Sequence, residues 1–231
     1  MLLHHFWLSP GCRRVRLVLG EKKLAHRLKL EPTARRNREF LALNPAGTTP
    51  VLVVETDAVT GAVRRHPVVV SGAQVICEYL DETRDPAALL GRTAEARAET
   101  RRLVAWFDVK FDAEVIQPLV GEKFTKRFYN LGAPDAGGIR AGRKNLGAHL
   151  AYISWLMDRR SWLAGATLSL ADLAAAAALS CLDYLGDVPW DRHLGARDWY
   201  ARIKSRPSFR PLLQEAIPGI APPPHYADLD F

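Results

Sequence analysis

Cysteine is scarce in this chain. Only Cys12, Cys77 and Cys181 occur, an odd number without metal-ligand spacing. That argues against a disulfide framework and a zinc site, and for a reducing cytoplasm. Long apolar runs are missing as well. The longest uncharged stretch of the second half, Leu173 to Leu182, falls far short of the ~20 apolar residues that span a bilayer. Membrane insertion is therefore not expected. The start, Met1-Leu2-Leu3-His4-His5, has no basic n-region and soon meets the turn Ser9-Pro10-Gly11, so no secretory signal is read. No internal repeat occurs. No glycine-aromatic RNA-binding motif or zinc-finger spacing appears, which speaks against nucleic acid as a partner.

What is present is ordinary for a globular protein. The 231 residues are 48% hydrophobic, 25% charged and 9% aromatic, which excludes collagen-like, mucin-like and wholly disordered chains. One large core or two smaller ones can be built from this length. The net charge is +7, of which residues 1–90 carry +4, residues 91–217 carry +5 and the last fourteen carry −2. A basic body with an acidic end favours an acidic partner.

Residues 1–85 read as a mixed α/β domain of order βαβαββα. Leu2 to Leu8 is apolar without helical period and reads as a strand. Residues 12–23 place Val15, Val18 and Leu19 on one helical face, with Arg13, Arg14 and Arg16 off it. His26 to Leu30, Val51 to Val54 and Arg64 to Val70 read as strands, the last two joined by a turn at Thr60-Gly61. Residues 34–43 and 73–83 read as helices. Residues 91–217 read as all helix. Apolar residues at 103, 107, 111, 115 and 119 run through a predicted helix over 93–128, with Pro118 as a kink. A Gly-rich loop over 131–138 precedes a helix over 139–160. Ser169-Leu170-Ala171-Asp172 has the form of a capping box. The Ala-rich run Ala174 to Ala178 behind it predicts a buried central helix. Residues 196–204 and 208–216 add two short helices. Residues 218–231 form a Pro-rich, then acidic and aromatic tail, read as a docking segment or a strap over the basic body.

Five pieces in this order carry a resemblance: Ser9-Pro-Gly-Cys-Arg-Arg-Val-Arg16, Asn44-Pro-Ala-Gly-Thr-Thr-Pro50, Glu78-Tyr-Leu-Asp-Glu82, Ser169-Leu-Ala-Asp172 and Arg206-Pro-Ser-Phe209. Together they resemble the glutathione transferase superfamily over nearly the whole chain. The resemblance implies a thioredoxin-like N-terminal domain, a helical C-terminal domain, a homodimer and a cleft between the domains. It implies that Ser9, or Cys12 as a fallback low-pKa thiol, would face the glutathione sulfur at the start of the first helix. It implies a cis Thr49-Pro50 loop. An acidic-Ser pair would grip the glutamyl end of glutathione at a helix start.

Counting back from Tyr79-Leu80, that pair falls at Gly72-Ala73. Both side-chain ligands are absent, and Ser71 lies two positions out of register. Each missing charge-assisted anchor costs about 1.5–3 kcal/mol. No cofactor is therefore expected, and no catalytic residue is assigned. The Ser-Pro-Gly-Cys-Arg-Arg start and the Pro-Pro-His-Tyr-Ala-Asp-Leu-Asp-Phe end are similar to a branch of that superfamily: the FtsZ-binding cell-division proteins of alphaproteobacteria. That branch implies a non-enzymatic regulator of constriction at the division site, gripping the FtsZ polymer. A route to the septal wall-synthesis machinery would run through the tail. Candidate contacts are Glu122, Lys123, Lys126 and Arg127 at the end of the long helix, Arg140, Arg143 and Lys144 across the loop, and Asp228, Leu229, Asp230 and Phe231 in the tail. The alternative is an active transferase or isomerase in which Ser9 holds the thiolate, helped by the field of Arg13 and Arg14. A third reading is a stress regulator bound to RNA polymerase.

Overall fold

The computed structural model describes residues 1–35, 37–57, 60–84 and 88–229. Strand β1 (Leu2–His5) leads to helix α1 (Pro10–Glu21), β2 (Arg27–Leu30), α2 (Arg38–Leu43), β3 (Val51–Thr56), β4 (Val63–Ser71) and α3 (Ala73–Thr83). The sheet order is β2-β1-β3-β4, with β1 and β2 parallel and the other pairs antiparallel. This is the thioredoxin-like half. The helical half contains α4 (Ala94–Ala105), a wide π-type stretch (Trp106–Thr125), α5 (Lys126–Tyr129), α6 (Ala136–Met157), α7 (Leu170–Tyr184), α8 (Leu194–Lys204) and α9 (Arg210–Leu213). The sheet faces and α7 enclose one continuous apolar core that crosses between the halves.

Several boundaries differ from the sequence reading for clear local reasons. β1 stops at His5 rather than Leu8, because Leu8 takes a left-handed φ of 46° and Pro10 opens α1. α6 starts at Ala136, inside the expected loop. The Asp135 carboxylate accepts from the Gly137 and Gly138 N–H groups and caps it. The second expected helix is split into a 3₁₀ turn (Thr33–Arg35) and α2, and the last into a 3₁₀ turn (Pro207–Phe209) and α9. α3 spans 73–83 as read, and the capping box of α7 is present on Ser169 and Asp172.

The expected α-helix over 93–128 is instead wide along most of its length. The Lys126 N–H reaches Gly121 O, five residues back. Buried positions run Leu103, Phe107, Phe111, Val115, Leu119 and Phe124, at about four residues per step, a spacing between the α-helical turn and the wider turn of a coil bonded five residues back. Pro118 has no N–H to give to the coil, and nearby the Glu114 carbonyl accepts from Asn145 Nδ2 of α6 at 3.1 Å. Gly142 permits this close approach, since a Cβ there would sit 2.9 Å from Pro118 Cβ.

The three arginines of α1, off the apolar face of Val15, Val18 and Leu19, are nonetheless inside the protein. Arg13, Arg14 and Arg16 are all buried, because α7 and the end of the helical half cover that side. Carboxylates meet them. Arg13 and Arg16 both pair with Glu215, with Arg13 at 2.7 Å, and Arg14 pairs with Asp108 at 2.9 Å.

Candidate functional site

The cleft between the halves is built on the first turn of α1. One cavity of about 450 Å³ is lined by Ser9, Gly11, Arg14, Pro50, Gly72 and Gln74. A second, of about 240 Å³, is lined by Trp7, Ile116 and Tyr129 among others. Both share Ser9, Pro10 and Asp112, so the two adjoin along that ridge. Ser9 sits at the N-cap of α1, where its hydroxyl accepts from the Cys12 N–H at 3.4 Å. It caps the helix and faces the cavities at once. Cys12 does not supply a low-pKa thiol. It is fully buried, its Sγ accepts from the Phe6 N–H at 3.4 Å, and burial pushes the thiol up. The Arg13 guanidinium is engaged by Glu215, Ser180 and Tyr226, and the Arg14 guanidinium by Asp108.

The Thr49-Pro50 bond is cis, and the Gly72 N–H donates to Pro50 O at 3.1 Å, tying this loop to the start of α3. Gly72 is the N-cap of α3 and makes no side-chain capping bond. Its φ of +89° would strain any side chain placed there. Ala73 offers one methyl, which a Cβ on Gly11 would approach to 3.0 Å. Ser71 is exposed at the end of β4, outside the cavity lining. The polar wall comes instead from the helical half. Asp108 takes two bonds from Arg14 Nη1, at 2.9 and 3.1 Å, and Asp112 accepts from Gln117 Nε2 at 3.0 Å.

Sequence reasoning missed this acidic wall and the aromatic cluster beside it. Phe6 lies 5.1 Å from Phe128 and stacks on Tyr129 at 5.8 Å, while Trp7 meets Phe128 edge-on at 5.8 Å. The adjacent pairs Phe6-Trp7, just before Ser9, and Phe128-Tyr129 were the available signal. No group of three or more His, Cys, Asp or Glu among the described residues forms a metal site. No helix of the described residues is long and apolar enough to cross a membrane.

The predicted charged corner divides in two. Lys123 and Arg143 converge on the buried Asp187 at 2.6 and 3.1 Å. Lys126 pairs with Glu122 at 2.6 Å, and Glu122 also accepts from the Asp135 N–H. These four hold the fold of the corner. Arg127, Arg140 and Lys144 are exposed and have no ion-pair partner among the described residues. Exposed Phe128 and Leu131 lie in the chain beside Arg127. In the tail, Tyr226 is fully buried, whereas Asp228 and Leu229 are exposed. Asp230 and Phe231 lie outside the described residues, as does Asp85 at the expected domain limit.

Two family models cover most of this architecture. The glutathione S-transferase N-terminal domain matches residues 8–83, and the glutathione S-transferase C-terminal domain matches residues 139–207. The chain belongs to the glutathione S-transferase family. One relative, FtsZ-localized protein A of Caulobacter vibrioides, is 48% identical over 99% of this chain and 97% of its own length. Among solved structures of the family, FzlA from C. crescentus superposes with a TM-score of 0.94 at 47% identity, covering 100% of this chain and 99% of that one. A glutathione S-transferase from Rhodospirillum rubrum superposes at 0.93 with 53% identity, again covering 100% and 99%. Proteins of this family thus include members named for an enzyme and a member named for its localisation with FtsZ.

Proposed function

We propose that this chain is a non-enzymatic regulator of cell division that binds FtsZ filaments in the cytoplasm, at the division site, and promotes constriction. One observation carries the reading. The helix start that would grip the head of glutathione presents Gly72 and Ala73, with no side-chain ligand. Whole-length similarity to a relative named for FtsZ localisation supports the choice of partner. The free cations Arg127, Arg140 and Lys144 suit an acidic filament, and the adjoining Phe128 and Leu131 supply apolar contact. A homodimer would carry two such corners and gain avidity along the polymer. The tail end, from Asp228 on, is the proposed route to septal wall synthesis.

The test is co-sedimentation with FtsZ polymer. Triple reversal to Glu at Arg127, Arg140 and Lys144 is expected to lower the bound fraction at least tenfold at low salt. Unchanged binding contradicts the assigned surface. Lys123 is a poor target for this purpose, because it holds Asp187.

A second reading is favoured by Ser9, which lines both cavities beside the cis Pro50 loop. It is a glutathione transferase or isomerase in which the Ser9 hydroxyl donates to the thiolate. Turnover of chlorodinitrobenzene that is lost in Ser9→Ala supports it.

A further inference from the structure

We propose that Ile217–Tyr226 is a latch closed over the seam between α1 and α7, and that its release loosens the cleft-lining turn of α1. The segment has two buried anchors. At the near end Ile217 is buried, its N–H donates to the Tyr184 hydroxyl at 3.0 Å, and that hydroxyl donates to Ile220 O at 3.0 Å. At the far end the Tyr226 hydroxyl donates to Leu212 O at 3.0 Å and accepts from Arg13 Nη1 at 3.2 Å. Burial pushes this phenol up to about 12, so it keeps its proton and can make both bonds. Lys204 adds a tie by donating to His225 O at 3.0 Å.

Between the anchors the packing is thin. Pro218, Gly219, Ala221 and Pro224 are exposed, and a cavity of about 600 Å³ opens beside Tyr184, Ile217, Ile220 and Pro222. Pro222-Pro223-Pro224 stiffens the span and lowers the entropy lost on docking. Opening therefore costs chiefly the contacts of the anchors, which include the Tyr226 ring against Tyr184 at 5.1 Å and His225 Nε2 at 3.3 Å from the buried Asp183, and the stiff span recloses at small entropic cost.

Arg13 connects the latch to the cleft. The same Nη1 that meets Tyr226 also donates to Ser180 O and Oγ at 2.9 and 3.0 Å on α7. Arg13 follows Cys12 in α1, whose first turn carries Ser9 and Gly11 into the cavity. When Tyr226 leaves, water reaches a fully buried guanidinium and the α1–α7 contact weakens at that turn. A partner that holds the tail open and an occupant of the cleft then bias the same two-state element, and the bias is reciprocal. This inference does not depend on what binds in the cleft.

Three buried thiols report it in the full-length chain. Cys181 lies in the seam beside Ser180, Cys12 under the cleft turn, and Cys77 in α3 away from the latch. Labelling by an aromatic disulfide reagent, resolved by peptide mass, gives three rates. Tyr226→Phe is expected to speed Cys181 and Cys12 at least tenfold and leave Cys77 unchanged. An unchanged Cys181 rate, or Cys77 rising by the same factor, overturns the latch. In the unsubstituted chain the Ile220 and Tyr226 amides are expected to exchange with deuterium at least tenfold faster than those in the middle of α7. Equal exchange contradicts the proposal even if the substituted chain does not fold.

Discussion

Two groups of cations in this molecule have the same appearance in sequence and opposite fates. Arg13, Arg14 and Arg16 stand in a run of charge on α1, and all three are buried. Arg127, Arg140 and Lys144 stand in a similar run around α5 and α6, and all three face solvent. Helical period does not separate them. The difference is a carboxylate delivered from far along the chain. Glu215 reaches Arg13 and Arg16, and Asp108 reaches Arg14, whereas no described carboxylate forms a close ion pair with the second group and Asp135 acts on Arg140 only at longer range. Where a carboxylate arrives, the charge becomes an interdomain fastener. Where none arrives, the charge stays at the solvent face, where the proposed partner would meet it.

The contrast is tested most strongly at Glu215. Burial opposes its ionisation, but the guanidiniums of Arg13 and Arg16 outweigh it and hold the carboxyl below its ordinary value. Glu215→Ala leaves two buried cations without their carboxylate and is expected to cost about 3–5 kcal/mol in urea unfolding. A loss under about 1 kcal/mol would place these arginines with the solvated group.

His5 sharpens the same region by pH. Burial, with Arg16 nearby, lowers its pKa from 6.5 to about 4, so the folded state keeps it neutral. Below pH 6.5 the unfolded chain binds a proton that the folded chain refuses. Stability then falls with acidification until about pH 4, where the folded form also titrates. The full difference is of order 3 kcal/mol. His5→Gln is expected to remove that share of the pH 4–6.5 slope, measured by chemical unfolding at several pH values. An unaltered slope would assign the acid sensitivity elsewhere.

A smaller effect is expected at Gly20, where α1 crosses the Arg206-Pro-Ser-Phe turn. A Cβ there would lie 2.8 Å from Ser208 Cβ and 2.9 Å from its Cα. Gly20→Ala should destabilise by about 1–3 kcal/mol, read from the thermal midpoint. A neutral result would show that the halves are not pressed together at this crossing. Smallest of all is the stability change from triple reversal at Arg127, Arg140 and Lys144, expected within about 0.5 kcal/mol. A large loss would show that this corner fastens the fold as α1 does.

Much of the fold was legible because its signals are local. α3 spans 73–83 as read, and Ser169 and Asp172 form their box, since caps and periodicity act within a few residues. The π-type stretch was not legible: its apolar spacing reads as an ordinary helix with a kink at Pro118, and the bonding five residues back appears only in the structure. The burial of the α1 arginines was not legible, because their partners lie 94 to 202 residues away. Nor was the role of Tyr226, which depends on a hydroxyl meeting Arg13 across 213 residues. At the cleft, the place of Gly72 and Ala73 at the start of α3 could be counted directly. The wall of Asp108 and Asp112 could not, because it comes from the other half.

The proposed function requires that the cleft does not hold glutathione. Titrating full-length protein with reduced glutathione in a calorimeter tests it most directly. The account predicts no saturable heat up to 10 mM, a ceiling corresponding to roughly −2.7 kcal/mol of binding. Saturation with a dissociation constant of about 1 mM or tighter, abolished by Ser9→Ala, would contradict it.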